Sequence, residues 1–74
     1  MINDDVKHDM LKLSVESELL ADALKLQSEA FDFFVDTEDD KYVQATAEAV
    51  VERLKSYIEA MNRVNGSVFK RKLL

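Results

Sequence analysis

Cysteine, proline and tryptophan do not occur in this 74-residue chain, and glycine occurs once, as Gly66. Without cysteine there are no disulfides and no thiolate metal sites, and the redox compartment stays open. Without proline, and with no glycine before residue 66, the chain has little means of building a loop-rich or β-rich fold. No run approaches the roughly 18 consecutive apolar residues that span a bilayer. The first ten residues are acidic and carry no apolar core of the signal-peptide kind. The expected location is cytoplasmic, with no membrane partner.

Hydrophobic residues make up 47% of the chain, too many for a disordered acidic tail. A chain of this length buries only about 60% of the surface its unfolded form exposes, so its own core is marginal. With disulfides excluded, oligomerisation is the expected stabiliser. Charge is uneven. Up to Gly66 there are 7 basic against 15 acidic side chains, a balance of −8, and Lys70, Arg71 and Lys72 bring the total to −5. An acidic body is repelled by nucleic acid rather than steered to it, so nucleic acid is not an expected partner.

The apolar period is helical throughout. Val43, Ala47, Val50, Leu54, Tyr57, Met61 and Val64 follow alternating steps of four and three, which keeps them on one side of a helix. Val51 and Ile58 widen that stripe, while Glu48, Glu52, Lys55 and Glu59 lie opposite. The first half carries two such seams. One runs through Leu13, Ser17, Leu20, Leu24, Gln27, Phe31 and Phe34; the other through Val15, Leu19, Ala23, Leu26, Ala30 and Phe33. At about 100° per residue the seams stand roughly 115° apart, so apolar side chains cover near half the cylinder.

A helix that wide needs more than one neighbour. The pattern therefore predicts an all-α, antiparallel helical hairpin, with helices over about 4–35 and 38–65. A lone hairpin would leave one seam wet, so it is expected to pair into a four-helix bundle as a homodimer or with a helical protein partner. The second seam (Val15, Leu19, Ala23, Leu26, Ala30 and Phe33) is the expected interface. Phe31 and Phe34 are expected to face the second helix. Residues 1–66 form the hairpin domain, and 67–74 a short basic and apolar tail. In that tail Val68, Phe69, Lys70, Arg71 and Lys72 are candidates for docking on a partner. Ser14, Val15 and Ser17 weaken the first helix, and either serine could start a new one, but a continuous helix is expected.

The acidic run Asp36-Thr-Glu-Asp-Asp40 resembles the start of a calcium loop but fails as one. Position 6 would need glycine and is Lys41, and position 12 would need glutamate and is Ala47. Thr37 is instead the expected N-cap of the second helix, with Asp40 reaching back in a capping box. Asn65-Gly66 is the expected stop of that helix, glycine supplying a left-handed residue. His8 stands near Asp4, Asp5 and Asp9, a weak divalent-ion grouping without the Glu-x-x-His pairs of di-iron bundles. No metal and no cofactor are expected. There is no phosphate loop and no histidine suitably placed to activate a nucleophile, so the expectation is not an enzyme. The pattern fits a small acidic interaction module, such as an adaptor, regulator or chaperone. The alternative is a regulator of nucleic-acid transactions, acting as an acidic nucleic-acid mimic on a basic protein or as a dimeric nucleic-acid-binding bundle.

Overall fold

The computed structural model describes residues 3–69. Helix α1 spans Asp4–Thr37 and helix α2 spans Lys41–Val64, followed by a π-helical turn at Asn65–Phe69. The two helices form the expected antiparallel hairpin. Thirty-four residues at about 1.5 Å each give α1 a length of roughly 51 Å. The Cα extents, 54 × 19 × 12 Å, are those of two helices lying side by side in one layer.

The ends of the helices are fixed by local hydrogen bonds. The Asn3 side chain accepts from the Val6 N–H at 2.9 Å, and Asp4 and Asp5 place negative charge in the positive first turn. Ser17 donates its hydroxyl to the Leu13 carbonyl at 2.9 Å, a bond within the helix, and α1 runs through the serine-rich stretch without a break. At its other end Glu38 adopts φ 60, ψ 17, and its N–H donates to the Phe34 carbonyl at 2.7 Å. This is the left-handed helix cap, made here by a glutamate instead of a glycine.

Two expected ends come out differently. Thr37 is the last residue of α1, not the cap of α2. Its hydroxyl donates back to the Phe33 carbonyl at 2.8 Å and accepts from the Asp39 N–H at 3.2 Å. That oxygen is satisfied by its own helix, so the first turn of α2 is served by Asp39, whose carboxylate accepts from the Lys41 N–H at 3.0 Å. Asp40 occupies the cap position but makes no side-chain cap bond; it accepts from the Gln44 side chain at 3.0 Å. At the far end Gly66 has no positive φ, so it is not a left-handed stop. Asn65, 1% exposed, donates its side-chain amide to the Met61 carbonyl at 2.9 Å, and the chain continues into the π-turn.

The core between the helices is narrow. Its buried apolar side chains are Ala23, Ala30, Ala60 and Val64. Leu13, Leu20 and Gln27 of α1, and Val43, Val50 and Tyr57 of α2, are half-buried beside them. Helix α2 thus lies along the line between the two seams of α1 and takes part of each. From the first seam it covers Leu13, Leu20 and Gln27; from the second it covers Ala23 and Ala30. Phe31 and Phe34, both expected to face α2, are 48% and 40% exposed. Phe33, expected to turn away from α2, meets the Tyr42 ring edge-on at a centroid distance of 5.2 Å.

Glu38 is the one non-glycine residue with positive φ among the described residues. A left-handed L-residue costs roughly 1–2 kcal/mol, and glycine removes that cost while adding some chain entropy. Glu38→Gly is expected to stabilise the hairpin by about 1 kcal/mol and raise its melting temperature by roughly 4–8 °C. Thermal unfolding followed by circular dichroism checks this, and an unchanged or lowered midpoint would contradict the left-handed cap.

Candidate functional site

The side chains left outside the narrow core fall on two sides of the hairpin, which differ in chemistry. The first side holds an apolar cleft of about 430 Å³ bridging the helices near the turn. Leu26, Glu29, Ala30 and Phe33 line it from α1, and Tyr42 and Thr46 from α2. The Thr46 hydroxyl donates to the Tyr42 carbonyl at 2.7 Å, so it is turned into its own helix and adds little polarity. Leu26 is 57% exposed and Phe33 40%. Asp22, Glu29 and Asp36, seven residues apart, form an exposed acidic edge along this side of α1. An apolar floor beside a negative edge is suited to a segment that offers both apolar anchors and positive charge.

Farther along the same side lies a smaller cavity of about 70 Å³, lined by Lys12, Glu16, Ser56, Glu59, Ala60 and Arg63. The Oε2 atom of Glu16 is buried without a hydrogen-bond partner. Arg63 approaches Glu59 at 3.8 Å, an exposed pair one turn apart that adds little to stability. The mixture of charges makes this end of the side nearly neutral, in contrast to the acidic end near the turn.

The second side is almost uncharged. On α1 it presents Leu24 and Phe31, and on α2 Val51 and Leu54, all between 42% and 50% exposed. Ser14, Ser17, Ala21 and Ser28 of α1 lie in the same two rows and are also exposed. No carboxylate occupies these rows between Met10 and Val35 or between Gln44 and Met61. Glu18, Asp32, Glu48 and Glu52 lie along their outer edges.

Of the interface residues expected from the pattern, Leu26, Ala30 and Phe33 are brought together in the cleft. Val15 is exposed elsewhere, beside Leu11 and His8; Leu19 is half-buried; Ala23 is buried against α2. Tyr42 was not picked out by the pattern. Its signal is positional, since it opens α2 one residue before Val43 and so stands at the flank where α1 brings Phe33. The second side was also missed, because Leu24, Phe31 and Leu54 share the 4-3 spacing of residues that do face the partner helix. In the tail, Val68 is half-buried and Phe69 ends the π-turn, while Lys70, Arg71 and Lys72 lie outside the described residues. Among the described residues no three His, Asp or Glu side chains group to hold a metal ion. None of the described helices is long and apolar enough to cross a membrane.

The chain matches no protein-family model, no curated protein and no solved structure.

The Phe33–Tyr42 contact can be measured directly. Edge-to-face rings couple by about 0.5–1.5 kcal/mol, and partial exposure places this pair toward the lower figure. A double-mutant cycle with Phe33→Ala and Tyr42→Ala in urea denaturation is expected to return about 0.5 kcal/mol of coupling. Strictly additive effects would mean that the rings do not hold the cleft together.

Proposed function

We propose that this protein is a small, non-enzymatic protein-interaction module, an adaptor, regulator or chaperone that works by helix–helix association. The association of two hairpins in a four-helix bundle belongs to this reading. Its client is a basic amphipathic helix of another protein, seated in the cleft of Leu26, Ala30, Phe33 and Tyr42. The observation that carries the reading is the pairing of that apolar cleft with the acidic edge of Asp22, Glu29 and Asp36. Aromatic anchors in a cleft supply most of the binding energy, and the charged rim selects the partner and speeds encounter.

A second reading rests on the outward row of carboxylates alone. Asp22, Glu29, Asp32 and Asp36 would stand in for phosphates and occupy a basic protein groove, so the protein would act as a nucleic-acid mimic. The two readings differ in how much they need the rings. A mimic loses its binding in high salt and is indifferent to Phe33, whereas a helix seated in the cleft depends on Phe33 at any salt.

The test is fluorescence anisotropy of a labelled, Lys/Leu-rich amphipathic peptide, titrated at 50 mM and 500 mM salt. Binding is expected at both, weaker in high salt, with Phe33→Ala lowering the affinity about tenfold at 500 mM. Binding that vanishes in high salt and ignores Phe33→Ala would favour the mimic. No binding at 50 mM salt would overturn the cleft reading.

A further inference from the structure

The uncharged second side is the larger anomaly of the molecule. Fifteen carboxylates are distributed over this short chain, yet two full helical rows on each helix contain none over most of their length. The exposed residues there include Leu24, Phe31, Val51 and Leu54, which water alone would not favour. We propose that a second copy of this chain covers that side, through an antiparallel two-fold contact that lays α1 on α1 and α2 on α2. The proposal rests on the reading of the hairpin as half of a helical bundle, but not on the cleft.

Three features of the side fit a second copy in that orientation. The first is shape. A two-fold axis crossing α1 midway between Ala21 and Leu24 sets Leu24 opposite Ala21 of the second copy and Phe31 opposite Ser14. Ser28 then falls opposite Ser17. Each large side chain on this part of α1 meets a small one, as knobs meet holes in antiparallel helix packing.

The second is register. On α2 the same kind of axis passes midway between Val51 and Leu54 and sets those two opposite each other's copies, with Ala47 opposite Ile58. For one dimer both crossings must lie at the same height in the hairpin. They do. The Phe33–Tyr42 contact fixes the alignment of the helices, and each crossing lies about 10 residues from it, roughly 15 Å along its helix. A single axis therefore satisfies both helices.

The third is charge. Glu18 and Lys25 lie on the outer edge of the α1 rows, symmetric about the axis to within about one residue, so each faces the other's copy. Glu48 and Lys55 do the same on the outer edge of α2. Lys55 is 72% exposed and only 3.9 Å from Glu52 in the isolated hairpin, so it is placed at the surface from which it would reach across. Two Glu–Lys pairs on each edge would close the contact, while most of the −8 charge of the first 66 residues points away from it. Laying α1 on α2 of the copy instead would set Leu24 against Val51, two large side chains, and Ser28 against Ala47, two small ones, whereas α1 on α1 gives Leu24 and Phe31 each a small residue.

Sedimentation equilibrium of the full chain at low salt tests this, with a charge swap as the specific probe. The wild type is expected to be a dimer, Lys25→Glu to weaken it about tenfold, and Glu18→Lys with Lys25→Glu together to restore it to within about threefold. Phe33→Ala is expected to leave the dimer intact. Leu24→Lys is expected to give a monomer, with helicity followed separately by circular dichroism. A wild type that stays monomeric at about 100 µM would overturn both this face and the bundle reading. A dimer indifferent to Lys25→Glu, or one that the double swap fails to restore, would overturn this face and leave the bundle reading standing.

Discussion

The contact between α1 and α2 is lined by alanine. Ala23, Ala30 and Ala60 supply three of the four buried apolar side chains among the described residues, and a methyl group lets two helix backbones approach where a leucine would hold them apart. Leu24, Leu26, Phe31, Phe33 and Leu54 stand in the rows that flank this contact and remain exposed on one side or the other. The burial of methyl groups contributes little, at about 25 cal/mol per Å² of apolar area. Ordering the backbone costs roughly 1–2 kcal/mol per residue, so a two-helix layer built this way has a small margin of its own. The narrow core and the exposed flanks are one fact seen twice.

A connection of three residues, 38–40, separates α1 from α2 and leaves them no arrangement but antiparallel neighbours. Glu38 reverses the chain by entering the left-handed region, Thr37 closes the last turn of α1, and Asp39 receives the first free N–H of α2. The acids at 38–40 therefore act through their backbone and cap positions. Their crowding near Tyr42 also gives the turn end of the molecule its negative field.

The helices, their antiparallel order and their approximate limits were legible in the 4-3 spacing of apolar residues, because burial on one face leaves that period directly in the sequence. The line along which α2 lies on α1 was not. A stripe covering half a helix offers several axes of contact, and periodicity alone does not rank them. Side-chain size does, since Ala23 and Ala30 recur seven residues apart and mark where a second backbone can come close. Thr37 shows a different ambiguity. Its hydroxyl can cap the following helix or bond back to its own, and the second outcome depends on how far α1 extends. Glycine at position 66 permits a helix stop, yet permission does not require a left-handed residue there. At the candidate cleft, Leu26, Ala30 and Phe33 were legible as one row, whereas Tyr42 joins them only once the register between the helices is known.

Placing two unlike surfaces on opposite sides of one layer resolves a conflict inherent in the composition. An acidic protein repels its own copy wherever carboxylates meet, so a self-contact is favoured only where they are absent. The same acids favour a basic partner, so a contact of that kind is favoured where they are dense. On the proposed reading, the uncharged rows answer the first requirement and the cleft beside Asp22, Glu29 and Asp36 answers the second. Because the two sides share the Ala23–Ala30–Ala60 core but no surface residues, covering one leaves the other accessible. Pairing across the uncharged side would also rigidify α1 along the stretch that carries Leu26 and Phe33, so the cleft would lose less conformational freedom on receiving a helix.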